Sequence, residues 1–466
     1  MFKHCTFSFR SLGLYGAVAM LAPALLQTAI AQTTPSNIVA PPQTENYIVS
    51  FAPGSTALAR ARAASQAGAI PLVDLGLINS LSVRIPDVKI LAALRANPSV
   101  VRVVQDRRIF AFQSGSATGI SSIPGLGGTR NTNAADTSEV VPPGVKRVGE
   151  PTTGEEGAGV GIMIGDTGID WTHEDLNVAS DRFDAFGGDC MDRNGHGTHV
   201  AGTAAALKNG IDVVGEAPGA TLYCAKVLGD NGSGSDSGII ESLEWVVNKN
   251  SAGADPKIRV INFSLGRDKE DGDMDGPLRE AIQAAYNSGV TIVVTAGNDA
   301  STEVKDQVPS GFPEVIAVGS TTAEDGNTST CPTYGGYIAA DTASYFTTDG
   351  AFDSSTGIGV TVSAPGGTRE NVNRFCRITC EGILSTAVGG GTTNKIDGSA
   401  ACGTSMAAPL VSGLAARLIA AGVSGPENVR SQLRTDADRQ GTAPLDSPSA
   451  AYSYDGEREG IPVWPQ

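Results

Sequence analysis

The sequence predicts an α/β protein in which a mostly parallel central sheet carries helices on both faces, preceded by a small α+β domain. In the long C-terminal part of the chain, short apolar segments alternate with helical segments, an order that is typical of parallel sheets. The shorter N-terminal part has the order strand, helix, strand, strand, helix, strand. At 466 residues the chain is long enough for two or three domains with a large core.

The first thirty residues have the pattern of a secretory signal peptide. Lys3 and Arg10 precede an apolar run from Leu12 to Ile30, and the small residue Ala31 follows. The run is short for a bilayer and no basic flank follows it, which disfavours a membrane anchor. We therefore expect a secreted, extracellular protein from which the signal peptide, residues 1–31, is removed.

The small α+β domain occupies residues 45–112, and its element order is the ferredoxin-like pattern. The predicted elements are a strand at 47–51, a helix at 57–67, strands at 70–76 and 80–85, a helix at 88–96 and a strand at 100–104. Residues 113–140 are rich in Ser, Gly, Thr and Asn without an apolar period, which predicts an exposed linker where processing occurs. A large domain at 141–455 and a short tail at 456–466 complete the chain.

Apolar strands and helices alternate through the large domain. The predicted strands are 160–164, 221–227, 260–264, 291–295 and 315–318, and helices are predicted between them at 238–249 and 278–288. Ligand sites in such sheets lie at the carboxyl ends of the strands. Asp166 follows one strand and Asn298 follows another, so we expect these two side chains to converge.

Three motifs supply, in chain order, a carboxylate, an imidazole and a hydroxyl. They are Gly-Asp-Thr-Gly at 165–168, Asn-Gly-His-Gly-Thr-His at 194–199 and Gly-Thr-Ser-Met-Ala-Ala-Pro at 403–409. A serine hydroxyl needs a base to remove its proton, and the base needs a carboxylate to fix its tautomer. Together the motifs resemble the subtilisin and proteinase K superfamily of serine endopeptidases. The resemblance implies a subtilisin-like fold with Ser405 as nucleophile, His196 as general base and Asp166 as the residue that orients it.

The same resemblance implies the remaining site residues. Asn298 is implied as a second donor to the oxyanion, beside the Ser405 backbone N–H, and His199 is implied to be structural. The implied substrate-binding residues are Gly232, Ser233 and Gly234, which pair with an extended substrate, and Ser264, Leu265, Gly266, Thr295, Ala296 and Gly297, which wall the first specificity pocket. Binding through the substrate backbone tolerates many substrate sequences. A first pocket lined by such small residues predicts a preference for large apolar side chains in the substrate.

An acidic loop, residues 267–276, follows the first pocket motif. Its D-x-D-x-D-G pattern resembles a calcium loop, but position 12 is Ile282 instead of a glutamate, which excludes an EF-hand. The loop either holds a structural calcium ion through Asp271, Asp273 and Asp275 or is a solvated surface loop; the chemistry itself requires no cofactor. An acidic loop beside the pocket also leaves open a processing protease that prefers basic residues.

The small domain resembles the inhibitory propeptide of this superfamily in Tyr47-Ile48-Val49 and in the segment 97–106. It holds 8 basic and 4 acidic side chains, whereas residues 113–466 hold 23 basic and 45 acidic ones. Opposite charge favours attraction between the two parts of the chain, and the acidic part disfavours nucleic-acid and anionic-membrane partners. We expect a monomer that acts on protein or peptide substrates and is inhibited by its own propeptide.

Six cysteines remain after the signal peptide, an even number that favours disulfides in an exported chain. Their closeness in sequence suggests that Cys376 pairs with Cys380, and analogy with superfamily members suggests that Cys190 pairs with Cys224. Buried free thiols are the alternative.

The sequence therefore predicts a secreted serine endopeptidase, made as an autoprocessed zymogen. An inactive subtilisin-fold binding protein is one alternative, but the loss of activity would most simply remove a triad residue, and this chain retains all three. An unrelated serine esterase is another, but the serine motif lacks the second glycine of the α/β-hydrolase elbow. Residues 327–360 are predicted to be a surface excursion.

Overall fold

The computed structural model describes residues 45–112, 138–439, 443–449 and 459–464. The predicted signal peptide and most of the predicted linker lie outside these ranges. Among the described residues, none of the helices combines the length and the apolar character needed to cross a bilayer.

The N-terminal domain, residues 45–112, contains a four-stranded antiparallel sheet with the predicted order of elements. Its elements are β1 (Glu45–Phe51), α1 (Ala57–Gln66), β2 (Ile70–Leu75), β3 (Ser80–Ile85), α2 (Lys89–Arg95) and β4 (Val100–Gln105). The strands lie in the order β2-β3-β1-β4. Helix α1 begins where Thr56 accepts a hydrogen bond from the Ala59 N–H. Ala64 and Leu94 of the helices pack with Val49 of the sheet in a separate small core.

The large domain is built on a seven-stranded parallel sheet, as the sequence predicts. The strands are β6 (Gly161–Asp166), β7 (Phe183–Asp184), β8 (Thr221–Lys226), β10 (Ile258–Phe263), β12 (Thr291–Thr295), β14 (Ile316–Thr322) and β15 (Val362–Gly367). They lie in the order β15-β14-β12-β10-β6-β8-β7, with every neighbouring pair parallel. The chain passes from β6 to one side of the sheet and then to β10 on the other. The carboxyl ends of β6 and β10 therefore form the switch point where sites are expected.

Helices cover both faces of this sheet. They are α3 (Pro143–Val148), α4 (His196–Ala205), α5 (Asp236–Ser251), α6 (Pro277–Asn287), α7 (Thr404–Ala420) and α8 (Pro426–Arg439). Successive residues of a strand point to opposite faces. Accordingly, Ile162 and Ile164 of β6 pack with α4 and α7, whereas Met163 between them packs with α5 and α6.

A second sheet joins the two domains. After β4, the chain forms β5 (Arg108–Ala111), which the sequence did not lead us to expect. This strand lies between β9 (Ser233–Ser235) and β11 (Leu265–Asp268) and is antiparallel to both. The short β13 (Gln307–Val308) pairs with the outer side of β11. The end of the N-terminal domain is thus the third strand of a sheet whose other strands belong to the large domain.

Three disulfides join the six cysteines: Cys190–Cys224, Cys331–Cys376 and Cys380–Cys402. The first confirms the pairing expected by analogy, but the expected pairing of Cys376 with Cys380 is wrong. Cys380 lies in β17 (Ile378–Glu381), which pairs with β16 (Arg369–Val372). Cys376 lies outside that strand, in the turn between β16 and β17. The folded chain brings Cys331 to Cys376 and Cys402 to Cys380 from segments 45 and 22 residues away, so closeness in sequence does not set the pairing.

The end of the described chain packs into the large domain. Ile461 is fully buried, and the Trp464 N–H donates to the carbonyl of Val148 at 2.8 Å. The guanidinium of Arg417 lies over the Trp464 ring, 4.1 Å from its centroid, and forms an ion pair with Glu216. Arg417 and Glu216 are both buried, so each is the charge partner that the other needs.

Candidate active site

Asp166 and His196 meet in the large domain. Asp166 ends β6 and His196 begins α4, and the His196 Nδ1 lies 2.8 Å from Asp166 Oδ1 and 2.9 Å from Oδ2. Both side chains are fully buried, and the Thr167 N–H holds the carboxylate at 2.7 Å. This contact fixes the proton on Nδ1, which makes Nε2 the basic nitrogen. Among the described residues, Nε2 has no hydrogen-bond partner.

The two histidines of the His-Gly-Thr-His motif have opposite electrostatic surroundings. Burial alone would lower the pKa of His196, but Asp166, together with Asp192 and Asp397, raises that pKa above its ordinary value of 6.5. Burial lowers the pKa of His199 to about 4, and its Nε2 lies 2.9 Å from the carbonyl oxygen of Ile383. His199 is therefore a neutral residue bound to backbone, in keeping with the structural role expected for it.

Ser405 lies in the first turn of α7 and is fully buried. Its hydroxyl donates to the carbonyl of Phe112 at 2.8 Å and lies 3.3 Å from the carbonyl oxygen of Ser264. Phe112 and His196 line the same small cavity in front of α7. Phe112 thus links the predicted serine, through this hydrogen bond, to the cavity that His196 lines, and the Ser405 hydroxyl is directed to the two carbonyls.

A chain of buried polar groups holds the backbone of Ser405. The Ser412 hydroxyl donates to Asn262 Oδ1 at 2.9 Å, and the Asn262 amide donates to the Ser264 hydroxyl at 3.0 Å. Ser264 in turn donates to the Ser405 carbonyl at 2.9 Å. Sequence reasoning missed the roles of Asn262 and Ser412. The signal that could have found them is a polar residue in apolar surroundings: Asn262 lies in the apolar strand β10, and Ser412 lies in the buried helix α7.

Asn298 follows β12 with its amide oriented by Thr404. Its Oδ1 accepts hydrogen bonds from the Thr404 N–H at 2.9 Å and from the Thr404 hydroxyl at 2.7 Å. Its Nδ2 is buried and has no partner within the described part of the chain. A Cβ atom on Gly403 would lie 3.0 Å from this Nδ2 and 3.4 Å from the Phe112 carbonyl oxygen. An unpaired donor at this place can bind negative charge that develops on such an oxygen.

The three residues before Asn298 support this loop. Thr295 bonds the Thr404 hydroxyl through its own hydroxyl, and the Gly297 carbonyl oxygen lies 3.1 Å from the same Thr404 hydroxyl. The Ala296 carbonyl accepts from the Ser310 hydroxyl at 3.3 Å. Of these predicted pocket residues, Thr295 and Gly297 thus contact Thr404, and Ala296 contacts Ser310.

Thr348 is a further support that sequence reasoning missed. Its N–H donates to the Gly297 carbonyl at 3.0 Å, and its hydroxyl donates to the Asp299 carbonyl at 3.0 Å. Thr348 belongs to the segment 327–360, which was expected to be a surface excursion. Its residues around Thr348 are instead buried against the Asn298 loop.

The remaining predicted substrate-binding residues lie on both sides of β5. The Ala111 N–H donates to the Gly232 carbonyl at 2.9 Å. Ser233 pairs with Phe110 and Gly234 with Ile109, the two residues of β5 that precede Ala111. Leu265 and Gly266 pair with β5 from the other side. These glycine-rich segments therefore bind an extended chain through its backbone.

Gly266 also adjoins the ring of Phe112. A Cβ atom on Gly266 would lie 2.3 Å from that ring, far inside van der Waals contact. The absence of a side chain at Gly266 therefore makes the space that the aromatic ring fills.

The acidic loop is engaged by arginines. Asp273 lies 2.7 Å from Arg267 Nη1 and 2.5 Å from Arg107 Nη1. Within the described ranges, no group of three or more His, Cys, Asp or Glu side chains is arranged to hold a metal ion. Calcium at Asp271, Asp273 and Asp275 stays a prediction, and the two guanidinium contacts of Asp273 speak for a different role.

Asp175 has surroundings that suit a hard cation better. It is fully buried, its Oδ1 has no partner among the described residues, and its Oδ2 accepts from the Val213 N–H at 3.2 Å. Burial, together with the neighbouring Asp212 and Glu139, raises the pKa of Asp175 to about 7. Calcium prefers carboxylate and carbonyl oxygens, and Asp175 supplies a buried carboxylate oxygen that has no partner among the described residues.

Comparison with known proteins gives the family. A family model described as Peptidase S8, the subtilase family, matches residues 157–450, more than half of the chain. The chain belongs to the subtilase family. This subtilase is 40% identical over 188 residues to Subtilisin Savinase of Lederbergia lenta, across 40% of the chain and 65% of that protein. It is 37% identical over 199 residues to Subtilisin E of Bacillus subtilis (strain 168), across 40% of the chain and 48% of that protein. The matches thus span less than two thirds of these relatives.

Solved structures agree on the fold of this subtilase. Fervidolysin from Fervidobacterium pennivorans, a keratinolytic enzyme related to subtilisin, matches with a TM-score of 0.60 and 22% identity over 90% of this chain and 60% of that one. A structure described as S41 psychrophilic protease matches with a TM-score of 0.53 and 30% identity over 70% of this chain and 99% of that one. The predicted subtilisin-like α/β fold is confirmed.

Proposed function

We propose that this subtilase is a secreted serine endopeptidase, made as a zymogen in which the N-terminal domain is an inhibitory propeptide. The observation that carries the proposal is the Phe112 carbonyl, held by the Ser405 hydroxyl at 2.8 Å while β5 runs between β9 and β11. A peptide substrate binds in this way when an extended chain adds to a sheet edge and presents a carbonyl to a nucleophile.

The chemistry follows from the positions of four side chains. Ser405 attacks the peptide carbonyl carbon, and Nε2 of His196 takes the serine proton and then donates it to the leaving amine. Asp166 stabilises the imidazolium that forms between these steps. Because the Ser405 hydroxyl points to carbonyl oxygens in the described state, its side chain rotates toward Nε2 before proton transfer. The Asn298 amide and the Ser405 N–H then bind the oxyanion.

The bond between Phe112 and Gln113 is our candidate for the processing site. Phe112 is the residue whose carbonyl contacts Ser405, and the predicted exposed linker begins at Gln113. Three disulfides suit an oxidising compartment and support export.

The side chains of β5 support a preference for apolar residues. Ile109 is fully buried, Phe110 is 43% exposed, and Phe112 lies against Gly266. A substrate in the place of β5 would bury the side chain at the position of Ile109. It would place the side chain of the residue before the cut against Gly266, as Phe112 does. This arrangement disfavours a first pocket built for basic side chains.

Expression of the precursor and of its Ser405→Ala form tests the proposal. The native precursor should yield a mature protein whose N-terminal residue is Gln113, whereas the Ser405→Ala precursor should stay intact in a pure preparation. Intact mass and N-terminal sequencing give the cleaved bond, and a serine-directed reagent should label only the native protein. Equal processing of both precursors, with no cleavage of casein by either, would refute the proposal.

A further inference from the structure

We infer that the acidic loop forms a subsite that selects a basic residue in the substrate, five residues before the residue whose carbonyl is cleaved. The inference rests on the proposed endopeptidase function and specifies its substrates. It follows from the register of β5, from the contacts of Arg107 and from the charges that surround them.

The register of β5 fixes which residue reaches the loop. Phe112 presents its carbonyl to Ser405, and the strand continues away from this point through Ile109. Extended chain rises about 3.3 Å per residue, so β5 itself, Arg108–Ala111, spans roughly 10 Å. Arg107 directly precedes this strand, and its carbonyl accepts a hydrogen bond from the Asp236 N–H at 2.9 Å. A substrate bound in the same register would place beside the acidic loop the sixth residue counted back from its cleaved bond.

Arg107 makes three contacts with the loop. Its Nη1 lies 2.5 Å from Asp273 Oδ1, its Nη2 lies 3.0 Å from Glu270 Oε2, and Nη2 also lies 3.4 Å from the Asp271 carbonyl oxygen. The Arg107 side chain is 18% exposed and that of Asp273 is 7% exposed. A guanidinium that meets two carboxylates in partly desolvated surroundings is bound more strongly than an ordinary surface ion pair.

The loop keeps an excess of negative charge when Arg107 leaves. Asp273 and Asp236 each lie 2.7 Å from the buried Arg267, which fixes the Asp273 carboxylate in place. Together with Glu270, these groups are three carboxylates around one guanidinium. Removal of the N-terminal domain therefore exposes a preformed anionic site from which the Arg107 guanidinium is absent. A basic side chain of the substrate then takes the place of Arg107.

The neighbouring basic residue supplies an internal control. Arg108 donates to the Ser233 hydroxyl at 2.9 Å and lies over the Phe110 ring, 5.1 Å from its centroid. Neither contact involves a carboxylate. The preference should therefore belong to the position of Arg107 and not to basic residues in general.

Internally quenched peptides test the inference. One peptide carries the sequence of residues 106–112 before the cleaved bond, a second replaces the residue equivalent to Arg107 with Gln, and a third replaces the residue equivalent to Arg108 with Gln. The processed protein should show a kcat/KM about three- to tenfold lower for the second peptide, since a charge-assisted contact is lost. The third peptide should stay within about twofold of the first. The difference should shrink in high salt, which screens the partly exposed pair.

The variant Glu270→Gln tests the site from the protein side. The Glu270 side chain is 59% exposed, so its replacement should leave the fold intact. The ratio of kcat/KM between the Arg and Gln peptides should fall, and Glu270→Arg should lower it further. Equal cleavage of these two peptides by the native protein at low salt would overturn the inference. Failure to cleave any peptide would instead overturn the endopeptidase function on which it depends.

Discussion

The substitution Gly266→Ala should reduce the preference for an aromatic side chain at the residue before the cleaved bond. The new Cβ would lie 2.3 Å from the Phe112 ring, where ordinary contact needs more than 3.4 Å, so an aromatic ring must move by about 1 Å or more. Burial of a Phe side chain contributes roughly 1.5–3 kcal/mol. Exclusion of the ring should therefore lower kcat/KM for a Phe peptide by about ten- to a hundredfold, while a matched Ala peptide loses little.

The assay compares two peptides that differ only by Phe or Ala before the cleaved bond. Gly335→Ala is the matched control, because a Cβ there meets no atom within 4 Å. The melting temperature of each variant separates a loss of fold from a loss of specificity, since the Gly266 Cβ would also lie 3.0 Å from the Val308 carbonyl oxygen. A Phe-to-Ala ratio within about twofold of the native one would show that the ring does not bind against Gly266, and the reasoning would fail.

Four further outcomes are expected. Asn298→Ala should lower kcat by about 10²–10³, the range known for loss of one oxyanion donor in subtilisin, with little change in melting temperature. His196 must be neutral to act, so kcat/KM should rise with pH through a midpoint above 6.5; Asp166→Asn should move this midpoint to lower pH and reduce kcat by about 10⁴. Arg417→Met should lower the free energy of unfolding by about 3–5 kcal/mol, because it leaves a buried carboxylate unpaired, as denaturant titration would measure. If Asp175 holds calcium, EDTA should lower the melting temperature of the native protein and leave that of Asp175→Asn unchanged.

The parts of the fold that the sequence predicts are those set by local pattern. The apolar segments before Asp166 and Asn298 indicate buried strands, and the residues after a buried parallel strand must lie at its carboxyl edge. The pairing of Asp166 with His196, by contrast, is implied by the resemblance of the three motifs to the subtilisin superfamily. The periodicity of residues 45–105 is enough to give the order of elements in the N-terminal domain.

The parts that the sequence does not predict depend on contacts between distant segments. The four residues of β5 become a strand only because β9 and β11 supply its hydrogen bonds. The composition of the acidic loop leaves open a calcium loop or a solvated surface loop. It does not reveal that Arg107, which comes from the N-terminal domain, joins Arg267 of the loop itself in ion pairs with Asp273. Cysteine spacing likewise does not reveal that Cys402, which directly precedes Gly403, lies close enough to Cys380 to form a disulfide.

The covalent link between β5 and the large domain determines how occupation of the cleft between β9 and β11 by β5 responds to dilution. While residues 45–112 remain attached, occupation of the cleft is a unimolecular equilibrium, and a tethered ligand competes at an effective concentration in the millimolar range. After the cut that we propose between Phe112 and Gln113, the same contacts would obey mass action. The blocked fraction then falls when the total concentration drops below the dissociation constant. Release from a crowded compartment into a large volume would thus turn on a cut protein without any further chemical step.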